Sequence, residues 1–546
     1  MKKLLLFGAA VFSLAAAVDY TAEGDAWWAH IRFLADDALQ GRDTGSEGYH
    51  KAVQYVATKM EQFGLRAAGS DGYLQPVNFE TRELVPAESS LALVRDGNEQ
   101  KLSPAEATMN ARADAGTVEA PMVFAGYGLR IPEAHYDELA GLDLKGRIVV
   151  YVNAPGPVDA PGPVKSHAGS AAERWETLRA AGAIGVAIIM NPRAPAVTGQ
   201  PPTNGSGPAA GRGARGGAAG MGAAGRGPQK VFLLADPALQ EQAGQKVALT
   251  ITRAGGEKFF IGSGHTYDEI LALARDNRPL PKFPLAGTLR ATTVVRTEKL
   301  EAPNLAGILP GSDPGLKNQY VILSAHLDHV GVGRPVNGDA IYNGAMDDAS
   351  GIASILEIAR IMKAEAMKPR RSVVFLAVTA EEKGELGSRY FAMHPTVPAK
   401  DIVADINLDM FMPLFDLKFV EVQGLGESTL GDNVREAAEP FGVTVQADKE
   451  PEQNRFIRSD QYSFIRNGVP SLAFKFGYEF GTPEDKIFHD WIRDRYHKPS
   501  DDLDQPVDKA AAAKFDRLIA SLLMKVADAD AKPAWKSDSF FRRFAK

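Results

Sequence analysis

From Asn304 onward short apolar runs alternate with amphipathic ones, and no other feature limits the possible folds of this chain as strongly. Tyr320-Val-Ile-Leu-Ser324 reads as a buried strand. Residues 349–362 follow as a helix, because Ile352, Ile355, Leu356 and Ala359 stand at i, i+3, i+4 and i+7 on one face. Strand-like runs at 372–379, 402–408 and 471–476 then alternate with helical ones near 385–394, 430–441 and 508–527. Strands separated by helices imply an α/β sandwich around a mixed, mainly parallel sheet. Ligands of such sheets gather beyond the C-terminal strand ends.

The rest of the chain has a different texture. At 546 residues it exceeds what one core usually serves. Lys2 and Lys3, the apolar run 4–16 and the small-residue exit Ala15-Ala16-Ala17 read as a signal peptide over 1–17. The expected location is therefore exported, periplasmic or extracellular, with no stable membrane insertion, since no other segment is long and apolar enough to span a bilayer. Residues 18–85 read as a helical part that packs on something larger; Ala52, Tyr55, Val56 and Met60 share a face, and Gly41-Arg42-Asp43-Thr44-Gly45 breaks the two helices. Residues 86–292 change to short strand-like runs at 121–125, 147–151, 184–189 and 246–251, with one helix at 171–181, as in a β-rich inserted module. Within it, 198–229 is a Gly/Ala/Pro/Arg tract. Its G-x-G-x-x-G match lacks the flanking strand and helix of a dinucleotide site, so it reads as a flexible loop. With no cysteine, disulfides and thiol catalysis are excluded, and a net charge of -7 gives no reason to expect nucleic acid as a partner.

The chemistry-bearing residues fall at the predicted strand ends. The first strand runs into Ser324-Ala-His-Leu-Asp-His329, the next ends in Thr379-Ala-Glu-Glu382, and the third in Asp409. Asp347 and Asp348 precede a helix, and His497 follows the last strand in Arg495-Tyr-His-Lys-Pro-Ser-Asp501. Taken singly, each has an ordinary reading: Asp347 or Asp348 as a helix cap, His326 as a hydrogen-bonded core histidine, Glu381 and Glu382 as solvated acids at a helix start. Together they place several acids at one sheet edge, where they repel one another unless a divalent cation sits among them.

The strings Ser324-Ala-His-Leu-Asp328, Gly344-Ala-Met-Asp-Asp-Ala-Ser-Gly351, Ala380-Glu-Glu382 and Asn407-Leu-Asp-Met410 resemble the M28 metallopeptidases. The resemblance implies a three-layer α/β/α sandwich over 293–546 holding two zinc ions and acting on peptide substrates. It implies that Asp347 bridges the metals, that His326 and Asp409 complete one site, and that Glu382 and His497 complete the other. Glu381 would be the general base, and Asp328 would orient His326 from behind. His489 is the competitor for the place of His497. Phe124-Ala-Gly-Tyr-Gly128 and Leu142-Asp-Leu-Lys-Gly-Arg-Ile-Val-Val150 resemble the protease-associated (PA) insert of some members of that family.

Aminopeptidase activity is the leading expectation. Carboxypeptidase or dipeptidase activity, glutaminyl cyclisation and a non-catalytic binding ectodomain are the alternatives. No H-E-x-x-H helix, G-x-S-x-G elbow or P-loop competes with the metal reading. Phe474, Phe476, Tyr478, Phe480, Trp491 and Tyr496 are open between a substrate pocket and ordinary core, and Asp460 between a helix cap and a partner for a substrate amine.

Overall fold

The computed structural model describes residues 18–192 and 230–546. The expected signal at 1–17 and the Gly/Ala/Pro/Arg tract at 198–229 lie outside the described residues.

The larger sheet has nine strands, in the order Arg66–Ala67, Asn304–Leu309, Ser372–Val378, Tyr320–His326, Ile402–Asn407, Ser471–Gly477, Phe419–Gln423, Thr444–Ala447, with Leu74–Gln75 also beside Asn304–Leu309. The four central strands, Ser372–Val378 to Ser471–Gly477, are parallel. Antiparallel neighbours flank them, so the sheet is mixed. Every residue of Ser372–Val378 is buried, as expected for a strand covered on both faces. Alternation along each strand decides which layer a side chain joins. Val321, Leu323, Ala325, Val373, Phe375 and Ala377 share a core with helices Tyr20–Leu34, Ser350–Ala364 and Lys509–Asp528. Ile322, Val374, Leu376 and Val378 face the other way, onto Phe391 of Leu386–Met393 and Phe464 of Gln461–Ile465. Helices on both faces make the three layers.

The N-terminal helices belong to this body. In Glu47–Gln62, Ala52, Val56 and Met60 have no exposed surface, and Trp27 Nε1 donates to Ser350 O at 3.2 Å and Ser354 Oγ at 3.0 Å.

A second sheet has eight strands, in the order Asn98–Leu102, Ser90–Arg95, Lys282–Thr293, Gly116–Ala125, Ile148–Asn153, Gly185–Met190, Val247–Ile251, Ala107–Met109. Four of them, from Gly116–Ala125 to Val247–Ile251, run parallel, and apolar clusters cover both faces. Parallel neighbours need crossovers, which helix Ala171–Ala180 supplies between Ile148–Asn153 and Gly185–Met190. This module is thus itself α/β rather than simply β-rich. Chain enters it through Asn78–Leu84 and leaves through Val295–Glu301, which pair antiparallel as a two-way ribbon.

Candidate metal centre

Parallel strands Tyr320–His326, Ser372–Val378 and Ile402–Asn407 end at the same sheet edge. That register carries His326, the Glu381-Glu382 pair and Asp409 to one place, while Asp347 enters from the turn before Ser350–Ala364 and His497 from the loop after Pro483–Asp494. His326 Nε2 lies 3.2 Å from Asp347 Oδ1 and 3.6 Å from Asp409 Oδ1. His497 Nε2 lies 3.0 Å from both Asp347 Oδ2 and Glu382 Oε1. Asp347 therefore offers one oxygen to each half of the site. His489 is elsewhere, paired with Asp485 at 2.8 Å and Glu450 at 3.3 Å.

His326 Nε2, Asp347 Oδ2, Glu382 Oε1 and Asp409 Oδ1 are all buried and make no hydrogen bond, despite their short separations. Buried polar atoms are normally satisfied by directed bonds. Here the atoms converge on shared points instead of on one another, and mixed imidazole and carboxylate donors suit zinc. The residues fit divalent metal. Burial and Glu382 push the Asp347 carboxyl up, but His326 and His497 outweigh them and hold it well below the usual carboxylate range. Burial alone would lower the His326 pKa; Asp347 and Asp409 raise it well above the ordinary imidazole value.

Asp348 lies close enough to His326 and Asp409 to count as a donor. Its oxygens are already committed, however: Oδ2 accepts from the His326 N–H at 3.2 Å, and Oδ1 from Gly351 and Met410 at 3.0 and 3.2 Å. It braces three loops, which leaves Asp347 as the shared carboxylate. Asp501 fixes that residue in turn, accepting from the backbone N–H of Met346 at 2.9 Å and of Asp347 at 3.1 Å. Lys475 Nζ donates to the carbonyls of Asp409 at 3.0 Å and Met410 at 2.7 Å.

Asp328 reaches His326 through its main chain. Its main-chain carbonyl lies 3.0 Å from His326 Nδ1, whereas its carboxylate is 3.9 Å away. A carbonyl only accepts, so Nδ1 carries the proton and Nε2 keeps its lone pair for the site. The carboxylate instead accepts from the Glu381 N–H at 3.0 Å and from Thr44 Oγ1 at 2.9 Å, which sets the backbone that carries Glu381.

Thr44 belongs to the segment that the sequence marks only as a break between helices. Gln40, Gly41 and Arg42 all adopt left-handed backbone, and a Cβ on Gly41 would stand 2.2 Å from the Tyr342 carbonyl. This turn buries Arg42 completely. Its guanidinium donates to the carbonyls of Leu34, Leu327 (3.0 Å), Asn343 (2.6 Å) and Gly344 (3.0 Å), tying the His326 and Asp347 loops together. Burial pushes its pKa down to about 10, against the pull of Asp501 and Asp328. Asp43 pairs with Lys383, beside Glu382, at 2.5 Å. Arg42→Ala would remove a donor from four buried carbonyls, of which that of Gly344 keeps the Ala349 N–H at 3.2 Å. We expect a loss of about 3–5 kcal/mol in stability by urea denaturation, with the metal-site loops losing protection from hydrogen exchange first.

Phe474, Phe476, Tyr478 and Trp491 are core, Phe480 is 63% exposed, and Tyr496 stacks on His497 at 4.0 Å. Asp460 is fully buried and does not cap Gln461–Ile465; neither oxygen has a hydrogen bond, and burial pushes its carboxyl up to about 7.

Residues 304–523 match the sequence profile of peptidase family M28, a stretch that holds all five expected ligands but neither Arg42 nor Thr44. The protein named "probable leucine aminopeptidase 2" from Aspergillus oryzae is 30% identical over 222 residues, 39% of this chain and 42% of its own. Carboxypeptidase Q of Xenopus laevis is 34% identical over 98 residues, 18% of this chain and 19% of its own. The chain thus spans less than half the length of these curated relatives. An aminopeptidase from Aneurinibacillus sp. strain AM-1 aligns over 94% of this chain and 97% of its own, at 21% identity and a TM-score of 0.52; the two share a fold.

Proposed function

We propose that this protein is an exported two-zinc exopeptidase that releases N-terminal residues from peptides, built on the peptidase family M28 match of residues 304–523. The observation that carries the reading is the division of Asp347: Oδ1 faces His326, Oδ2 faces His497. A carboxylate split this way would serve two ions, one held by His326 and Asp409 and the other by Glu382 and His497. Export rests on the signal-like start at Lys2 and Lys3 and on Ala15-Ala16-Ala17. The module over 86–292 is read as PA-like.

Zinc in such a pair acidifies a water molecule and polarises the scissile carbonyl. The chain's own part is to move the proton. Glu381 adjoins Glu382 yet is not one of the five ligands, so its carboxylate is free to take a proton from water and return it to the leaving amine. Burial favours that task. It pushes the Glu381 carboxyl well above its usual range, with His326 opposing and Glu382 and Asp409 adding to the push. Asp328 keeps the residue in place through its backbone N–H.

The direction of cleavage is tested with a panel of chromogenic aminoacyl and blocked peptide substrates, each assayed with and without a chelator. Chelator-sensitive cleavage of free-amine forms alone is expected. Cleavage of N-acetylated peptides at their C-terminus would replace the reading by carboxypeptidase, the activity named for one relative. No turnover with zinc bound would return cyclisation or simple binding.

A further inference from the structure

His329 takes no part in the ligand set expected for this site, yet it lies inside it. Its ring has no exposed surface, and neither ring nitrogen makes a hydrogen bond. Nδ1 stands 3.1 Å from Glu382 Oε1 and 4.0 Å from Asp347 Oδ2, the same two oxygens that His497 Nε2 approaches at 3.0 Å. At 3.1 Å the imidazole is near enough to bond to Glu382, but it is out of line, as His326 Nε2 is with Asp347. We propose that His329 is a fourth protein donor to the metal held by Asp347, Glu382 and His497, an inference that rests on the two-zinc reading.

Two further observations support this assignment. Donors on one tetrahedral zinc, with bonds of about 2.0–2.1 Å, stand about 3.3 Å from one another. The separations of 3.0 to 4.0 Å between the two histidines and the Asp347 and Glu382 oxygens bracket that edge. The His329 and His497 rings are 5.7 Å apart at 72°, close to the roughly 5 Å expected of two imidazoles on one tetrahedral ion. The chain also makes room for the ring. Gly344 has φ +65, and a Cβ there would sit 2.5 Å from His329 Cγ. The two metal positions are then unequal: two imidazoles and two carboxylates on one side, one imidazole and two carboxylates on the other. The imidazole-rich position binds zinc first and most tightly, while the oxygen-rich one exchanges.

The direct test is X-ray absorption on the zinc-loaded wild-type protein, which counts imidazoles per metal. Three imidazoles shared between two zinc ions are expected; two would overturn the proposal while leaving the two-zinc reading intact. A wild-type protein that takes up no zinc in equilibrium dialysis would overturn both. His329→Asn keeps a weak donor near the Nδ1 position, and His329→Gln moves the amide away from it. Each folded variant, verified by circular dichroism, should lose about 100-fold in affinity for the tight zinc equivalent and no more than a few-fold for the other. Unchanged affinity for both equivalents in a folded variant would also overturn it. If neither variant folds, the imidazole count on the wild-type protein decides.

Discussion

Asp347→Ala is expected to lose both zinc ions at once, and turnover should fall by about 10⁴-fold or more, some 5 kcal/mol of barrier. The magnitude follows from position. One carboxylate serves His326 and Asp409 through Oδ1 and His497 and Glu382 through Oδ2, so its removal strips a donor from each metal. Asp409→Ala touches only one side and should leave one equivalent bound. Metal analysis after dialysis separates the two cases. A calorimetric control distinguishes ligand loss from misfolding. Zinc at about 1,000 times its Kd stabilises a folded binder by about 4 kcal/mol. The wild-type protein should show that rise in Tm, whereas Asp347→Ala should unfold cooperatively at a temperature indifferent to zinc. An Asp347→Ala protein that still held two equivalents would remove the bridge from the mechanism.

Four of the five expected ligands lie where local pattern can place them, because His326, Glu382 and Asp409 end or follow strands and Asp347 precedes a helix, whereas His497 sits in the loop after Pro483–Asp494. Ile352, Ile355, Leu356 and Ala359 repeat on one helical face, and all are buried. Strand Ser372–Val378 reads as an uninterrupted apolar run because helices cover both of its faces. What escapes sequence reading is long-range by nature. Arg42 reaches carbonyls some 300 positions away, and nothing in Gly41-Arg42-Asp43 distinguishes a buried clamp from a solvated turn. Lys475 and Asp348 likewise act on backbone carbonyls and amides, groups that every residue carries. His329 stands in plain view beside Asp328, but its importance lies in facing Glu382 and His497, which reach it from other segments. The second module shows the same limit. Its four central strands were recognisable as strands, whereas their parallel order depends on crossovers that periodicity does not report.

Glu381→Gln should keep its metals and lose its turnover. The amide matches the carboxylate in size and retains the backbone N–H that Asp328 holds, so the fold of the loop is preserved. What disappears is the capacity to accept a proton. General acid–base groups contribute about 10²–10⁴-fold, and a residue used twice, on water and then on the leaving amine, should fall at the upper end. The loss should appear in kcat, with KM nearly unchanged, because the substrate still meets the same surface. The pH profile is a second check. A carboxylate base must be deprotonated to work, and burial raises its proton affinity, so wild-type activity should fall as pH drops through its pKa. That acidic limb should be absent from the residual activity of the Gln variant. Loss of zinc together with turnover would make Glu381 a ligand rather than a base. Full turnover would transfer the proton to another group, and Asp460, buried with both oxygens unpartnered, would be the first residue to examine.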